Sequence, residues 1–422
     1  MSDHLKNPGW KVTFAGTGIN LALGVLYTWS IFQAVIVESI TRNDGVFNWD
    51  RASAGDPYAV ACLVFSFAMI AAGKTQDRYG PRVTALIGGV LVGLGLLLIS
   101  RTSDYVLWVL GFGVLTGAGI GFGYASATPP ALKWFPGGQT GLIAGLVVAG
   151  FGLAPVYIAP LASYLLLKWG LSGTMAFFGI AFFIAVSLLS RFLKNPPDGF
   201  VPPILQNGHK TITAHTAAAS QPAAFHVPTR TVLKTSAFWK LWFLYFIGAG
   251  AGLMVIGSVA GMAKQSLGAA AFIAVAIMAV GNASGRIVAG VVSDALGRNV
   301  ALAIFFALQS LNMFLAIPVL ESEGAMAFFI VLSATFIGFN YGSNLALFPA
   351  FCKGWWGLKN FGLNYGVLFT AWGIGGFVMT RISSMLVAKT GSYIGSFVVA
   401  GVLLAIGAVI ALKMKAPIEG NG

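Results

Sequence analysis

Arg286 is the residue whose position in this sequence most clearly indicates chemistry. It lies inside a long apolar run, four positions after Asn282 and eight before Asp294. In a helix it would sit about 12 Å from the Asp294 end, too deep for its charge to reach water easily. A guanidinium can hold a carboxylate through two parallel hydrogen bonds, and Asn282, on the same helix face, could orient it. Because the acidic residues lie at the ends of apolar runs or outside them, an anionic substrate is favoured over the alternative, a structural ion pair.

Residue types that catalyse reactions or bind metals are poorly placed for either task. The four histidines lie outside the apolar runs, at His4, His209, His215 and His226. None of these runs brings together a nucleophile and base, a metal set or a carboxylate pair. Cys62 and Cys352 each lie within an apolar run, where small buried packing residues without a disulfide are expected. We therefore expect no enzymatic activity, no cofactor and no metal.

The composition places most of the chain in a membrane. Of its 422 residues, 57% are apolar and only 9% are charged, too few charges to coat soluble domains. The net charge of +13 is spread thinly between apolar blocks, so it does not indicate nucleic-acid binding. The 55 glycines and 17 prolines suit membrane helices that pack closely and bend.

Twelve apolar segments approach or exceed the length of about 20 residues that crosses a bilayer. They lie near 12–37, 55–73, 82–100, 105–130, 139–167, 173–193, 237–264, 268–292, 299–319, 323–349, 360–388 and 392–412. The polar segment 194–236 has no apolar period and is predicted to be a flexible connector. The sequence thus predicts an all-α membrane protein with two six-helix bundles, at 1–193 and 237–422.

Lysine and arginine are distributed unequally between the predicted loops. If the N-terminus is cytoplasmic, seventeen of the 25 fall on the inner side and six on the outer side, as the positive-inside rule requires. Both termini and the connector are therefore predicted to be cytoplasmic. Arg381 falls within the eleventh span, nearer its outer end, where we expect it to snorkel or to pack between helices.

The two halves repeat each other at a constant offset. Asp77 and Asp294 are 217 positions apart, and each lies four positions after a glycine. The segments 121–126 and 338–343, GFGYAS and GFNYGS, recur at the same offset of 217. Matching halves of six spans form a parallel repeat, with the substrate path expected between them.

These repeats also carry a family resemblance. The segment 73–82, GKTQDRYGPR, resembles the loop motif between spans two and three of the major facilitator superfamily. The segment 290–298 resembles the corresponding repeat of this motif in the second half. The motifs YTWS at 27–30, GY at 123–124, ALFP at 346–349 and NYG at 364–366 resemble the oxalate/formate antiporter and monocarboxylate transporter branch. The resemblance covers nearly the whole chain except the connector, and it implies a carrier of small carboxylates.

The resemblance implies roles for particular residues. Arg286 matches the arginine on span eight that holds the carboxylate, and Tyr124 and Tyr341 match positions that face the pore from opposite halves. Core packing remains the alternative for the tyrosines, and is nearly as well supported for the aromatic residues of span eleven. The predicted substrate-binding set is Arg286, Asn282, Tyr124, Tyr341, Tyr27, Phe369 and Trp372.

The two matching loops are predicted to gate the cytoplasmic side. A carboxylate at a helix end can accept hydrogen bonds from a neighbouring helix N-terminus and can pair with nearby arginines. The predicted gating residues are Asp77, Arg78, Asp294 and Arg298.

Two departures from the branch bear on the substrate and on its coupling. Asn282, which cannot titrate, stands where mammalian monocarboxylate transporters carry an aspartate, and Trp372 stands where the oxalate antiporter carries a cation. One cation beside an apolar wall suits a single carboxylate, as in lactate, pyruvate, propionate or acetate. Asp56, at the outer end of span two, is the candidate for proton coupling, with a solvated helix-end charge as the alternative.

We therefore expect a secondary active transporter of small monocarboxylates in the cell membrane, taken as the bacterial inner membrane. Its expected partners are the substrate, protons and the lipid bilayer, and we expect it to work as a monomer by proton symport. A carboxylate exchanger of the oxalate/formate type is the alternative. The parallel repeat and the gating motifs favour a carrier over a channel or a solute sensor.

Overall fold

The computed structural model describes residues 8–135, 140–197, 200, 227–257, 268, 272–321, 327–357 and 360–417. Most of the predicted connector, 198–199 and 201–226, lies outside these residues. The α-helices are α1 Pro8–Leu23, α2 Trp29–Arg42, α3 Asp56–Ile99, α4 Tyr105–Trp108, α5 Gly117–Lys133, α6 Thr140–Ser190, α7 Thr229–Val232, α8 Ser236–Ile256, α9 Phe272–Leu296, α10 Arg298–Glu321, α11 Ala327–Trp356, α12 Phe361–Thr390 and α13 Ile394–Lys413.

Ten helical segments of the described chain are long and apolar enough to cross a membrane. Large apolar side chains point away from the bundle along them, with Leu167 88% exposed, Phe328 66% and Leu315 62%. A soluble protein rarely exposes apolar surface on this scale, because water disfavours it. The chain is therefore an all-helical membrane protein, as its composition predicts.

Helix α3 folds back on itself at Gly80. This glycine has φ 82° and ψ 170°, a backbone conformation that other residues rarely adopt. Phe65 packs against Gly121 of α5, and Gly88 packs against Gly123 one half-turn further along. In a straight helix Phe65 and Gly88 would lie about 35 Å apart. The sequence predicts a loop at 74–81, whereas the structure turns the corner at a single residue and keeps the flanks helical.

Helix α6 turns in the same way at Gly170, where φ is 65° and ψ is −174°. Thr17 of α1 donates a hydrogen bond to the Leu146 carbonyl at 3.2 Å, while Leu189 packs against the neighbouring Gly18. Leu146 and Leu189 would be about 65 Å apart in a straight helix. Each of these two segments is thus a pair of helices lying side by side.

Two other segments contain a turn of different helical pitch. A 3₁₀ turn, Gly24–Thr28, separates α1 from α2, and a π-helical stretch, Val109–Thr116, separates α4 from α5. Gly24 allows the 3₁₀ turn to lie directly on α6, since a Cβ there would be 2.2 Å from the Ala154 methyl. This contact places Tyr27, in the same turn, at the centre of the bundle, where it is 3% exposed.

The helices before and after the connector pack mainly within their own half. The most extensive contacts between the halves are made by α3 with α12 and by α6 with α9. We call the end of the bundle where α1 begins and α13 ends the terminal face, and the other end the opposite face. Both inter-half helix pairs pass close to Arg286 or to the aromatic residues around it.

Candidate functional site

Arg286 is fully buried where α9 crosses α6. Its Nε donates to Asn282 Oδ1 at 3.0 Å, as the four-residue spacing predicts. Its Nη1 donates to the Val148 carbonyl of α6 and so bridges the two halves. Nη2 is buried and has no partner among the described residues, and none of their carboxylates forms an ion pair with Arg286. The guanidinium therefore presents an unused donor edge to a ligand.

Tyr27, Tyr341 and Trp372 form a hydrogen-bonded chain from one half to the other. The two phenol oxygens are 2.6 Å apart, and the Trp372 indole N–H donates to the Tyr341 oxygen at 2.8 Å. The three groups own three donor protons, and the two bonds of the chain use two of them. One phenolic proton is left to donate to a ligand.

Phe151 of α6 links these tyrosines to Tyr124 and to the guanidinium. Its ring centroid lies 4.8 Å from that of Tyr27 and 5.5 Å from that of Tyr124. Phe151 follows Val148 by one helical turn and adjoins Gly152, which packs against the Arg286 side chain. Tyr27, Tyr124 and Tyr341 all lie near enough to Arg286 for its positive charge to interact with their hydroxyl groups. The structure thus gathers these predicted site residues around one centre.

An apolar wall closes the side of the site formed by α3 and α12. Phe369 and Trp372 stack with their ring centroids 4.9 Å apart, and Phe65 of α3 lies 5.2 Å and 5.0 Å from the two rings. These rings offer no charge to a second carboxylate. The site therefore combines one cation, a few hydroxyl donors and an apolar surface.

The site is buried between two cavities of unequal size. A cavity of about 1070 Å³ opens towards the opposite face and is lined by α2, α3, α8 and α12. On the terminal side, a cavity of about 30 Å³ extends from Tyr124 to Asp77. Arg286, Tyr341 and Trp372 are each 0% exposed, so neither cavity reaches these three side chains.

Comparison with known proteins identifies the fold that carries this site. The sequence profile of the Major Facilitator Superfamily matches residues 12–352. The chain belongs to the Major Facilitator Superfamily. This superfamily member is 27% identical over 369 residues to the uncharacterized MFS-type transporter YhjX of Escherichia coli, covering 86% of this chain and 85% of that protein.

Two further relatives confirm the branch that the sequence motifs indicate. The oxalate:formate antiporter of Oxalobacter formigenes is 27% identical over 352 residues, covering 82% of this chain and 77% of that protein. Human monocarboxylate transporter 11 is 25% identical over 428 residues, covering 98% of this chain and 84% of that protein. This superfamily member thus resembles carriers named for small carboxylates.

At the terminal face of this superfamily member, Asp77 lies at the start of α12. Its carboxylate oxygens are 3.6 Å and 3.7 Å from the place where a Cβ on Gly362 would be. Gly73 lies against the Gly362 backbone, where an added Cβ would be 3.1 Å from the carbonyl carbon. A carboxylate at a helix N-terminus is stabilised by the free backbone N–H groups and the helix dipole. This is the placement expected of Asp77 as a gating residue.

The other predicted gating residues have different surroundings. Arg298 begins α10, packs onto Gly354 near the C-terminal end of α11, and is attracted by Asp294. A cation at a helix C-terminus is favourable for the same dipole reason. Arg78 lies over the Tyr79 ring, 5.1 Å from its centroid, and forms no ion pair with Asp77 in the described chain. The predicted pairing of a carboxylate with an arginine therefore stays a prediction in both loops.

Asp56 lies away from the site, at the opposite face. Its Oδ1 pairs with Arg381 Nη1 at 2.7 Å, and its Oδ2 accepts a hydrogen bond from the Tyr105 hydroxyl at 2.8 Å. Arg381 is thus partly exposed and lies between helices, as expected, and its charge is in addition paired across the halves. Asp56 lies at a helix end, as its alternative predicts, but its charge is paired with Arg381 as well as partly solvated.

Three contributors to the site escaped the sequence analysis. The Val148 carbonyl is a backbone acceptor, which cannot be identified from the type of the side chain. Phe151 is one apolar residue among many in its span. Phe65 could have been predicted, because it lies 217 positions before Asn282 and is therefore the counterpart of a predicted site residue in the other half.

Asn364, part of the motif at 364–366, also has a role that the sequence does not reveal. Its Nδ2 donates to the Val227 carbonyl at 3.1 Å, and its Oδ1 accepts from Thr229 Oγ1 at 2.5 Å. These bonds fasten the end of the connector to the first turn of α12. Asn364 lies two residues, about half a turn, after Gly362, which contacts Gly73.

Trp372→Phe is expected to raise the KM for the transported substrate about threefold to tenfold, since one intramolecular hydrogen bond contributes about 1 kcal/mol. The ring stack on Phe369 survives, while Tyr341 loses the donor that holds its oxygen in place. Trp242→Phe is the matched control, because Trp242 donates an equivalent bond to Thr370 at 3.0 Å outside the site. The KM of each variant is obtained from initial uptake rates at a series of substrate concentrations. Equal KM values in the two variants would contradict the role of the hydrogen bonds among Tyr27, Tyr341 and Trp372.

Proposed function

We propose that this protein is a secondary active transporter that carries small monocarboxylates, such as lactate or pyruvate, by alternating access. The observation that carries the proposal is the buried Arg286 guanidinium, whose Nη2 has no partner among the described residues. A buried uncompensated charge is costly and is retained for function. The kinship with an oxalate:formate antiporter and a monocarboxylate transporter supports a carboxylate as the missing partner.

The hydrogen-bonding groups around Arg286 match one carboxylate. The guanidinium edge and the free phenolic proton of the pair formed by Tyr27 and Tyr341 are donors, and a carboxylate supplies only acceptors. Phe65, Phe369 and the Trp372 ring offer a short alkyl or keto chain an apolar surface. The Trp372 N–H is already bonded to Tyr341. A second carboxylate, as in oxalate, would therefore meet neither a cation nor a free donor on that wall.

Substrate binding to Arg286 also explains how the carrier could pass through the occluded state, in which both faces are closed. The guanidinium bridges α9 to the Val148 carbonyl of α6, so it lies within the interface that has to rearrange. Without an anion, closing the halves buries an unpaired cation. With substrate bound, the oxygens of its carboxyl group accept hydrogen bonds from the guanidinium, and the cost of closing falls. Net movement is then tied to occupancy of the site.

We extend the proposal to topology. The hairpins of α3 and α6 divide the ten apolar segments into twelve crossings, with bundles at 1–193 and 237–422 joined by the connector. The terminal face, which the lysine and arginine distribution favours as the inner side, is then cytoplasmic and carries both termini. The protein would act as a monomer in the bacterial inner membrane.

We favour proton symport as the driving reaction. No carboxylate of the described residues forms an ion pair with Arg286, and the carboxylate of Asp56 is engaged by Arg381 and Tyr105. The proton would therefore travel with the substrate carboxylate rather than on a deep side chain. Exchange of one carboxylate for another is the second candidate, favoured by the oxalate:formate antiporter among the relatives.

Uptake of labelled lactate or pyruvate into proteoliposomes should rise when the external solution is made more acidic than the lumen. A protonophore should remove this stimulation, and Asp56→Asn should retain at least part of it, because Asp56 lies outside the site. Lumenal carboxylate should not be required. Uptake that ignores the pH gradient yet depends on a lumenal carboxylate would show an exchanger instead.

A further inference from the structure

We propose that Asp56, Arg381 and Tyr105 form an opposite-face latch, which holds the two halves together above the binding site and has to break before that face opens. The inference rests on the alternating access of the proposed function. It assigns a role to an ion pair that the substrate site does not use.

The latch joins elements from both halves through one carboxylate. Asp56 is the first residue of α3, and its Oδ1 accepts from Nη1 of Arg381 on α12 at 2.7 Å. Its other oxygen accepts from the Tyr105 hydroxyl of α4 at 2.8 Å. Tyr105 belongs to the same half as Asp56, so it fixes the carboxylate in place while Arg381 makes the bond across the halves. The position of Asp56 in the first turn of α3 favours its negative charge.

The ion pair lies at one end of an interface between α12 and the first arm of α3, residues 56–79. At the terminal end, Gly73 lies against Gly362, and further along the glycine Gly373 packs on Ser66. Small residues therefore let these two helices touch in the middle and at the terminal end, while charge holds the opposite end. To admit substrate from the opposite face, α3 and α12 have to separate at Asp56.

Tyr58 makes a second contact between the halves at the same level. It lies two positions after Asp56, is 2% exposed, and its ring carbon Cε1 is 3.1 Å from the place of a Cβ on Gly257, at the end of α8. Tyr58 also lines the cavity of about 1070 Å³. The first turn of α3 thus touches two helices of the other half and separates the large cavity from the buried site.

The strength of the latch fits a contact that opens in every transport cycle. Arg381 is 47% exposed and Asp56 is 19% exposed, so water screens much of their attraction. Exposed ion pairs of this kind shift an equilibrium about twofold to fivefold, and partial burial adds to that. Loss of the latch should therefore shift the halves towards the open state about threefold to tenfold.

The latch can be measured by thiol labelling, without reference to transport. Ser30→Cys places a reporter on α2 in the large cavity, at a position that is 4% exposed, in a protein whose two native cysteines are replaced by alanine. An uncharged, membrane-impermeant maleimide added at the opposite face should label it about threefold to tenfold faster in Asp56→Asn, in Arg381→Gln and in the double variant. Because the two side chains act as a pair, the double variant should match the single ones.

Arg42→Gln is the matched control, since it removes the ion pair between Arg42 and Glu38, which lies within the single helix α2. Its labelling rate should equal that of the parent. Exchange of the charges, Asp56→Arg with Arg381→Asp, should return the rate towards the parent. Parental rates in both single variants, or additive effects in the double variant, would overturn the latch. Faster labelling in a protein that carries no carboxylate would support the latch and refute the proposed function.

Discussion

Arg286→Lys should reduce carboxylate uptake at least about a hundredfold, because a single ammonium cannot replace a planar guanidinium that makes several directed bonds. Arg286 uses Nε for Asn282 and Nη1 for the Val148 carbonyl, and leaves Nη2 for the ligand. The lysine ammonium keeps the charge and has three donors, but they share one nitrogen and cannot reach the separated acceptors that Arg286 meets from three nitrogens. Initial rates of uptake in proteoliposomes, normalised to the amount of folded carrier, measure the loss.

Arg381→Lys is the matched control for this variant. It makes the same exchange on a membrane helix, but an ammonium can still pair with Asp56, so uptake should stay within about threefold of the parent. Parental uptake in Arg286→Lys, at normal abundance and with a symmetrical elution profile, would contradict the assignment of the anion site.

Gly342→Ala should have the second largest effect, although it removes no chemical group from the site. Gly342 of α11 lies so close to α9 that an added Cβ would be 1.9 Å from the Asn282 carbonyl oxygen and 2.8 Å from its Oδ1. The two helices would have to move apart, and Asn282 would release its bond to Arg286. Such overpacking costs about 1–3 kcal/mol or more. We expect at least a tenfold loss of uptake, of the order that 1.4 kcal/mol represents, and a lower midpoint of thermal unfolding.

Gly145→Ala provides the comparison on the other helix that faces α9. Its added Cβ would be 3.7 Å from the Arg286 carbonyl oxygen, an ordinary contact that requires no movement. Uptake and thermal midpoint should therefore remain close to those of the parent. Equal tolerance of the two substitutions would show that the approach of α11 to α9 does not hold Asn282 in place.

The sequence identified Arg286 because charge stands out against an apolar background. The same contrast located Asn282, since residues four apart share a helix face. Contacts that depend on tertiary packing carried no such signal. The Val148 carbonyl is backbone, and the ion pair between Asp56 and Arg381 joins residues 325 positions apart. Neither partner of that ion pair could be assigned before the halves were assembled.

The sequence also could not distinguish most apolar residues of the site from other apolar residues. Phe369 and Trp372 were predicted to close the site because the family resemblance pointed to their span, and the structure places them in contact. Phe65 completes the same wall and Phe151 packs against Tyr27 and Tyr124, but both are indistinguishable by type from the lipid-facing phenylalanines. Hydrophobicity alone does not say whether a side chain faces lipid or a cavity, because both environments favour it.

Hydropathy also did not predict how α3 and α6 turn. The polar stretch at 74–81 predicts a loop, yet the chain stays helical on both sides of Gly80. At Gly170, α6 also turns at one residue. A glycine with positive φ reverses the chain at once, so no longer loop is needed. The proposed twelve crossings rest on these two turns, whereas the exact boundaries do not.

Counterflow in proteoliposomes tests the central claim most directly. Vesicles loaded with unlabelled lactate or pyruvate should transiently concentrate the labelled acid from a dilute external solution, because a carrier exchanges bound substrate while a channel does not. Other small monocarboxylates should compete, and oxalate should compete poorly, since the wall of Phe65, Phe369 and Trp372 offers it no second cation. Absence of counterflow with every small monocarboxylate, or stronger competition by oxalate, would contradict the account.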